Sequence, residues 1–362
     1  MAAEKIPLVS VIIPMYNAAK FISQTLESLV YQTMKDFEVV VIDDCSTDNS
    51  VEVVESFADR VGEGLRLHVI KLPKNTGMPY LPRNIGINFA CGKYLAFLDN
   101  DDLLTKTALE ELTTIAEEYS ADVVNMPAIF IVEDKDLSIE EMLNPKNYRI
   151  RSCRERTASL QENIFAFPGD ISERIKLWLN NYFHWAAWAT FCRRDFWINN
   201  QIKFPFMPVS DDTLANFACL CFAKKILSVP NITYIQRLRA NSISREQDDV
   251  ENFFKKWLSN LILAFKNFDE IMHRVPFFDE HLDYRYAVLD WFFNRNVIDA
   301  GRFSLAYAQI HPAALNQFVE REFHSDEASF AAYLFNTVNI QRLQLIQLQQ
   351  ENNALKQALA QK

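Results

Sequence analysis

Short runs of β-branched and aliphatic residues recur along the first third of the chain: VSVIIP from Val9, FEVVVID from Phe37, LRLHVI from Leu65, KYLAFLD from Lys93 and DVVNM from Asp122. Between them the apolar positions change period. Phe21, Leu26, Leu29 and Val30, and then Val51, Val54 and Phe57, fall at helical spacing, so each unit reads strand, helix, strand. Strands that are apolar on both faces belong in a sheet covered on both sides. The pattern predicts an α/β domain with a doubly wound sheet, whose ligands sit at the carboxyl ends of the strands.

From about residue 248 the strand signals stop. FFKKWLSNLILAFKNF and RYAVLDWFFNRNVIDAGRF read as helices rich in aromatic residues, which predicts a helical domain over 248–335. Its lysine and aromatic faces fit packing inside the domain, and they also fit a peripheral contact with a membrane. Beyond 335 a heptad seam emerges: Ala331, Val338, Leu345, Asn352 and Leu359 at a, with Leu334, Gln341, Leu348 and Leu355 at d. That seam predicts a coiled coil over 336–362. Asn352 at an a position favours a parallel two-stranded form, with Glu351 at g facing Lys356 at e of a second copy. A terminal helix packed on its own domain is the alternative.

Composition narrows the function classes. The 362 residues carry 37 basic and 47 acidic side chains, a net charge of −10, which is the wrong sign for a protein that lives on phosphate backbones. Nucleic acid is not an expected partner. None of the seven glycines spells GxGxxG or GxxxxGK[ST], so nicotinamide-type and P-loop readings lose their main support. The six cysteines show no zinc spacing and read as reduced, buried thiols. The chain shows neither a signal peptide nor an apolar run of membrane-spanning length, and a cytoplasmic location is expected, with the membrane's inner face as the site of any peripheral contact.

The candidate chemistry is acidic and lies at strand ends. The second strand runs into Asp43 and Asp44, and the fourth into Asp99, Asn100, Asp101 and Asp102. Carboxylates crowded in this way call for a hard divalent cation or for hydrogen-bond donors. Aspartates also cap helices and form turns, and for Asp102 a cap on the helix LLTKTALEELTTIAEEY is the expected role. Later in the chain Asp211-Asp212 precedes the helical TLANFACL.

The run VSVIIPMYNAAKFISQTLESLVYQTMKDFEVVVIDDCSTDNS, followed by NTGMPYLPRNIGINFACGKYLAFLDNDD, resembles the start of glycosyltransferase family 2, inverting nucleotide-sugar transferases with a Rossmann-like GT-A fold. The resemblance continues through HWAAWATFCRRDFWINNQIKFPFMPVSDDTLANFACL and YIQRLRANSIS, covering about residues 8–245. It implies a GT-A domain over 1–247 and a metal-dependent, inverting transfer of sugar from a nucleotide diphosphate, a UDP-sugar, to a hydroxyl of a bacterial-type surface glycan or lipid-linked acceptor.

By the same resemblance Asp44 accepts the imide N–H of the base, and Pro14, Tyr16, Asn17, Arg83, Asp99 and Asn100 line the donor site. Asp101, the second acid of the Asp-x-Asp element, holds Mn²⁺ or Mg²⁺, whose coordination the donor's phosphates complete. Asp212 is the base that deprotonates the acceptor. Trp185, Trp188 and Asp211 border the acceptor, core packing being the other reading of the tryptophans and helix capping that of Asp211. His184 reads as a structural histidine.

Three features depart from the family pattern. Pro79, Tyr80 and Pro82 stand in the loop before Arg83, and Asp replaces Glu at 211. Arginines stand in Arg237-Leu238-Arg239, where relatives often have a metal-binding histidine; an arginine cannot ligate, and the two readings of Arg237 and Arg239 are closure on the diphosphate and a solvated loop position. Two other functions fit the sequence less well. A sugar-nucleotide nucleotidyltransferase needs a glycine-rich phosphate loop that VIIPMYNAAK lacks. A non-catalytic coiled-coil assembly subunit would not need acids at 44, 99, 101 and 212.

Overall fold

The computed structural model describes residues 6–58, 66–133, 138–152, 163–238 and 250–295, with scattered helical positions between 344 and 356. The expected alternation is present: β1 (Val9–Met15), α1 (Ile22–Val30), β2 (Phe37–Asp43), α2 (Ser50–Ala58), β3 (Arg66–Lys71), α3 (Tyr80–Phe89) and β4 (Tyr94–Phe97). A two-residue β5 (Leu103–Leu104), α4 (Ala108–Tyr119) and β6 (Val123–Asn125) follow. Then come β7 (Ala128–Glu133), α5 (Ile139–Met142), β8 (Arg149–Ser152), β9 (Phe165–Ala166) and α6 (Ile171–Leu179). The remaining elements are β10 (Thr190–Arg193), α7 (Arg194–Asn199), α8 (Asp211–Phe222), β11 (Ile226–Ser228), β12 (Tyr234–Leu238), α9 (Val250–His273), α10 (Phe277–Glu280) and α11 (Leu282–Phe293).

Among the described residues one sheet has the order β3-β2-β1-β4-β10-β6-β11-β9 and a second, smaller one the order β5-β12-β7-β8. β1 is central, parallel to β2 and to β4, and every residue of β1 and β2 is buried, which is why both read as unbroken apolar runs. β3 is the edge, and its residues are only part-buried. The sheet is mixed, because β10 lies antiparallel between β4 and β6. A tight turn at Ala187–Ala189 leads into β10, which runs opposite to both of its neighbours.

Pro14 shows how the sequence opens the site. Leu98 donates its N–H to the Ile12 carbonyl, so alternate residues of β1 face β4, and the β4 pairing stops at Ile12. The N–H that Pro14 lacks would therefore point past the end of the ladder, where nothing is lost. Its carbonyl instead accepts from Asn100 Nδ2 at 2.8 Å, which draws the turn after β4 over the end of β1.

Residues 1–246 and 267–285 form one compact unit, and 247–266 with 286–362 form another. In the first, Phe268 packs on Trp178 and Phe217, and Phe278 also meets Phe217. In the second, Leu261, Ala264, Val288 and Phe292 are buried. Most of the heptad seam lies outside the described residues; Leu348 and Asn352 are helical and exposed. Among the described residues no helix is long and apolar enough to cross a membrane. The cysteines are less uniformly buried than expected: Cys192 and Cys219 are enclosed, Cys45 and Cys221 are partly exposed, and Cys91 faces solvent in the turn between α3 and β4.

Beside Cys91, the buried Glu38 carboxylate of β2 accepts from Ser10 Oγ and from the N–H groups of Cys91 and Gly92. A Cβ on Gly92 would lie 2.6 Å from the Ser10 nitrogen and 2.7 Å from the Val9 carbonyl carbon, both backbone atoms that cannot turn aside. Gly92→Ala should therefore lower stability by about 1–3 kcal/mol, the usual cost of overpacking. It would be read as a lower urea midpoint at unchanged slope; an unaltered midpoint would show that the turn can lift off β1 freely.

Candidate active site

The acid turn, Asp99–Asp102, joins β4 to β5. Asp102 does not cap the following helix, contrary to expectation, since α4 begins at Ala108 and its capping position is Thr107. It is buried instead. Its Oδ2 accepts from the Tyr234 hydroxyl and its Oδ1 from the Arg237 backbone N–H, each at 2.8 Å. Burial and then the charges of Asp101 and Asp99 push its carboxyl well above the ordinary range, against the pull of those two donors. Asp99 donates its N–H to the Tyr234 oxygen at 3.2 Å, and the Asn100 carbonyl accepts from Thr25 Oγ1 of α1 at 3.0 Å.

Arg83 crosses from α3 to two other elements. Its guanidinium is buried, with Nη2 3.2 Å from Asp99 Oδ1 and Nη1 3.1 Å from Asp211 Oδ2. The group lies over the Phe204 ring at 5.3 Å, and Asn84, the next residue, fixes Phe204 by exchanging two hydrogen bonds with its backbone. Burial disfavours the Arg83 charge, but Asp211, Asp99 and Asp212 outweigh it and hold the proton more tightly than usual. Arg83 is thus ion-paired on two sides while standing beside the acid turn.

Asp211 and Asp212 open α8. Ser210 occupies the capping position at φ 67° and gives no side-chain cap, and Asp211 spends a carboxylate oxygen on Arg83. Asp212 Oδ1 accepts from the Thr213 N–H at 2.8 Å. Burial and the charge of Asp211 push the Asp212 carboxyl up to about 7, with Arg83 opposing. A carboxylate tuned to that range is suited to accept a proton near neutrality.

The ends of β1 and β2 supply a third group. Asp44 is buried, and its two carboxylate oxygens accept from the N–H and the hydroxyl of Thr76, both at 2.9 Å. Asp43 accepts from the Ser46 N–H, and Asn17 holds the two loops together, donating to Ser46 Oγ and accepting from the Thr47 N–H. Tyr16 beside it is 44% exposed. Asn17, Cys45 and Ser210 all adopt positive φ, so sparsely populated backbone gathers next to candidate residues.

The aromatic candidates pack inward. Trp188 is buried, stacked on Tyr234 at 4.9 Å and close to His184 at 4.5 Å; Trp185 stacks on His184 at 5.3 Å. His184 is structural as read, its Nδ1 accepting from the Ala186 N–H. Arg237 is buried over the Phe21 ring, and its Nη1 donates to Gln24 of α1. Arg239 lies outside the described residues. Thr76 and Tyr234 went unread in the sequence. Thr76 carried a weak signal, a hydroxyl in a turn-forming NTG; Tyr234 carried none, being one aromatic in an apolar strand.

Among the described residues no group of three or more His, Cys, Asp or Glu side chains is placed to hold a metal. The donor set is hard oxygen, with Asp99 36% exposed and Asp101 part-exposed, and it fits a divalent cation that also takes oxygens from a bound phosphate.

Residues 10–178 match the model of glycosyl transferase family 2, which bears out the resemblance read from the motifs. The chain is 39% identical over 174 residues to the poly(ribitol-phosphate) β-N-acetylglucosaminyltransferase TarS of Staphylococcus aureus, a match covering 45% of the chain and 30% of TarS. It is 27% identical over 295 residues to the glycosyltransferase GlyG of Streptococcus pneumoniae, covering 77% and 88% respectively. The crystal structure of residues 1–349 of S. aureus TarS in complex with UDP superimposes with a TM-score of 0.59 at 20% identity, over 92% of this chain and 88% of that one. The shared fold is α/β of the GT-A type, built on a mixed sheet. The chain spans under a third of the TarS sequence.

The electrostatics of the α8 start can be tested without substrate. Carboxyl NMR should find Asp212 titrating near pH 7; Asp211→Asn should lower that midpoint by removing a like charge, and Arg83→Gln should raise it by removing an opposite one. Shifts in the same direction in both variants would refute the assignment.

Proposed function

We propose that the chain is an inverting glycosyltransferase that moves a sugar from a UDP-sugar to a hydroxyl of a bacterial surface glycan or related polyol acceptor. The observation that carries this reading is Arg83, which joins the Asp99–Asp102 turn to Asp211, directly beside the raised carboxyl of Asp212. In the reaction the acceptor oxygen attacks the anomeric carbon as its proton passes to Asp212, and the bond from that carbon to the diphosphate breaks on the opposite face. Inversion follows from that geometry. The base works best with a pKa close to the working pH, and a carboxyl raised to about 7 is suited to that.

The remaining roles follow from placement. Asp44 takes the imide N–H of the base, trading bonds with Thr76, while Pro14, Tyr16, Asn17 and Asn100 border the nucleotide. Arg83 keeps the Asp99 carboxylate from repelling the donor. Asp101 would hold Mn²⁺ or Mg²⁺, which when bound neutralises the diphosphate leaving group. Arg237, near the end of β12, and Arg239 would serve the diphosphate. Trp185 and Trp188 back the acceptor side. Support for UDP comes from the TarS complex with UDP, and for the acceptor class from the name of TarS. The domain limits 1–247, 248–335 and 336–362, and a homodimer through the last of these, belong to the same proposal.

Asp212→Asn should leave UDP affinity unchanged and cut transfer by about 10²-fold or more, since general-base catalysis contributes about 10²–10⁴. In the parent enzyme kcat/KM should rise with pH and level off above about 7, as the base loses its proton. A flat profile, or a variant that binds poorly but turns over normally, would remove Asp212 from the role.

Asp101→Asn should abolish the Mn²⁺-dependent part of UDP binding in calorimetry while the protein stays folded. Undiminished binding in Mn²⁺ would place the cation elsewhere. Truncation after residue 336 should leave an active enzyme of smaller mass in light scattering at micromolar concentration. An unchanged mass would reject the coiled-coil dimer.

A further inference from the structure

The acid turn contains three carboxylates within four residues, which repel one another and so require donors to hold them in one arrangement. Arg83 meets Asp99 from one side. On the other side a single hydroxyl reaches both ends of the turn: Tyr234 donates to Asp102 Oδ2 at 2.8 Å and accepts from the Asp99 N–H at 3.2 Å. The Arg237 N–H adds a second bond from the same strand.

A phenol can brace a turn only if its ring cannot swing. Tyr234 is 1% exposed and its ring is stacked on Trp188 with the planes 24° apart. β12 pairs antiparallel with β5, Tyr234 opposite Leu104 and Ile235 opposite Leu103, so the strand register sets the height of the ring against the segment that leaves the turn. The tryptophan beneath it belongs to the stretch assigned to the acceptor side.

We infer that Tyr234 is a positioning residue which fixes the Asp99–Asp102 turn for donor binding and ties it, through Trp188, to the acceptor side of the site. The inference rests on the transferase reading. Tyr234 is not a catalytic residue: its proton and one lone pair are committed inside the protein, and it meets no reacting atom. It acts by limiting where the carboxylates can go, which is how a site held on a rigid element keeps affinity for a charged ligand.

The test uses the full chain with Tyr234→Phe, which keeps the stacked ring and removes only the hydroxyl. Amide hydrogen exchange across Asp99–Leu103 should quicken about tenfold or more while β2 stays as protected as before. UDP affinity in Mn²⁺ should fall about tenfold, with the donor KM raised to match and kcat at saturating donor within about threefold of the parent. Combined with Asp102→Asn, the loss should be smaller than the product of the two single effects, because both remove one bond. Faster exchange with unchanged affinity and KM would make Tyr234 a structural brace and overturn the inference, as would unchanged exchange. Should Tyr234→Phe not fold, Asp102→Asn alone reads the same bond by the same exchange and affinity measurements. A parent protein that neither binds UDP nor turns over any nucleotide sugar defeats the transferase reading and this role with it. An active parent matched in every respect by Tyr234→Phe defeats the role alone.

Discussion

Arg83 is the point on which the arrangement depends. A buried guanidinium loses several kcal/mol of hydration, and only close, well-aligned carboxylates can offset that loss. Here the two carboxylates come from different elements, Asp99 at the end of β4 and Asp211 at the start of α8, so the arginine on α3 cannot be satisfied unless all three elements assemble. Removing Asp211, itself buried, would leave part of a buried charge uncompensated, at a cost of about 3–5 kcal/mol; removing Asp99, more than a third exposed, would cost less because water screens that pair. Lysine would not replace it, because its single nitrogen cannot span the two carboxylates that Arg83 meets with two separate nitrogens.

That constraint sets the chemistry of the neighbours. Asp211 is engaged by Arg83, so Asp212 is left close to a like charge in a buried setting, and its proton affinity rises. The acids of the turn are treated differently from one another. Asp99 is neutralised by the arginine, and Asp102 is buried and held by β12. Asp101 stays part-exposed at the surface of the turn. A set of carboxylates that repelled each other equally would have no such division; here burial and partner choice assign each a separate place.

The two sheets share this task. The large sheet delivers Asp44 and the acid turn at the carboxyl ends of β2 and β4, beside the loop after β1, as expected of an open α/β sheet. The small sheet brings β12 against β5 and so holds the far side of the turn, with Arg237 anchored on α1 through Phe21 and Gln24. Segments separated by more than 130 residues thereby meet at one carboxylate, since Tyr234 and Asp102 lie 132 positions apart.

The sequence alone makes the strands β1, β2, β4 and β6 legible, because each is buried among neighbours and its apolar run says so locally; β3, the part-buried edge, shows the signal more weakly, in Leu67, Val69 and Ile70. It also determined which acids stand at strand ends, since Asp43, Asp44 and Asp99–Asp102 follow those runs directly. Pro14 was legible as part of a motif, but its use as the end of a ladder was not. The pairings across distance are not legible locally. β10 is four residues inside an aromatic stretch, and only its partners β4 and β6 make it an antiparallel strand. Asp102 has the local signature of a helix cap and is instead a buried acceptor for β12. Asp211 looks like a first-turn acid and is the partner of an arginine 128 positions away. Local pattern reports burial and propensity, which depend on near neighbours. The partner of a buried charge is set by which elements pack side by side, and no window of sequence contains that information.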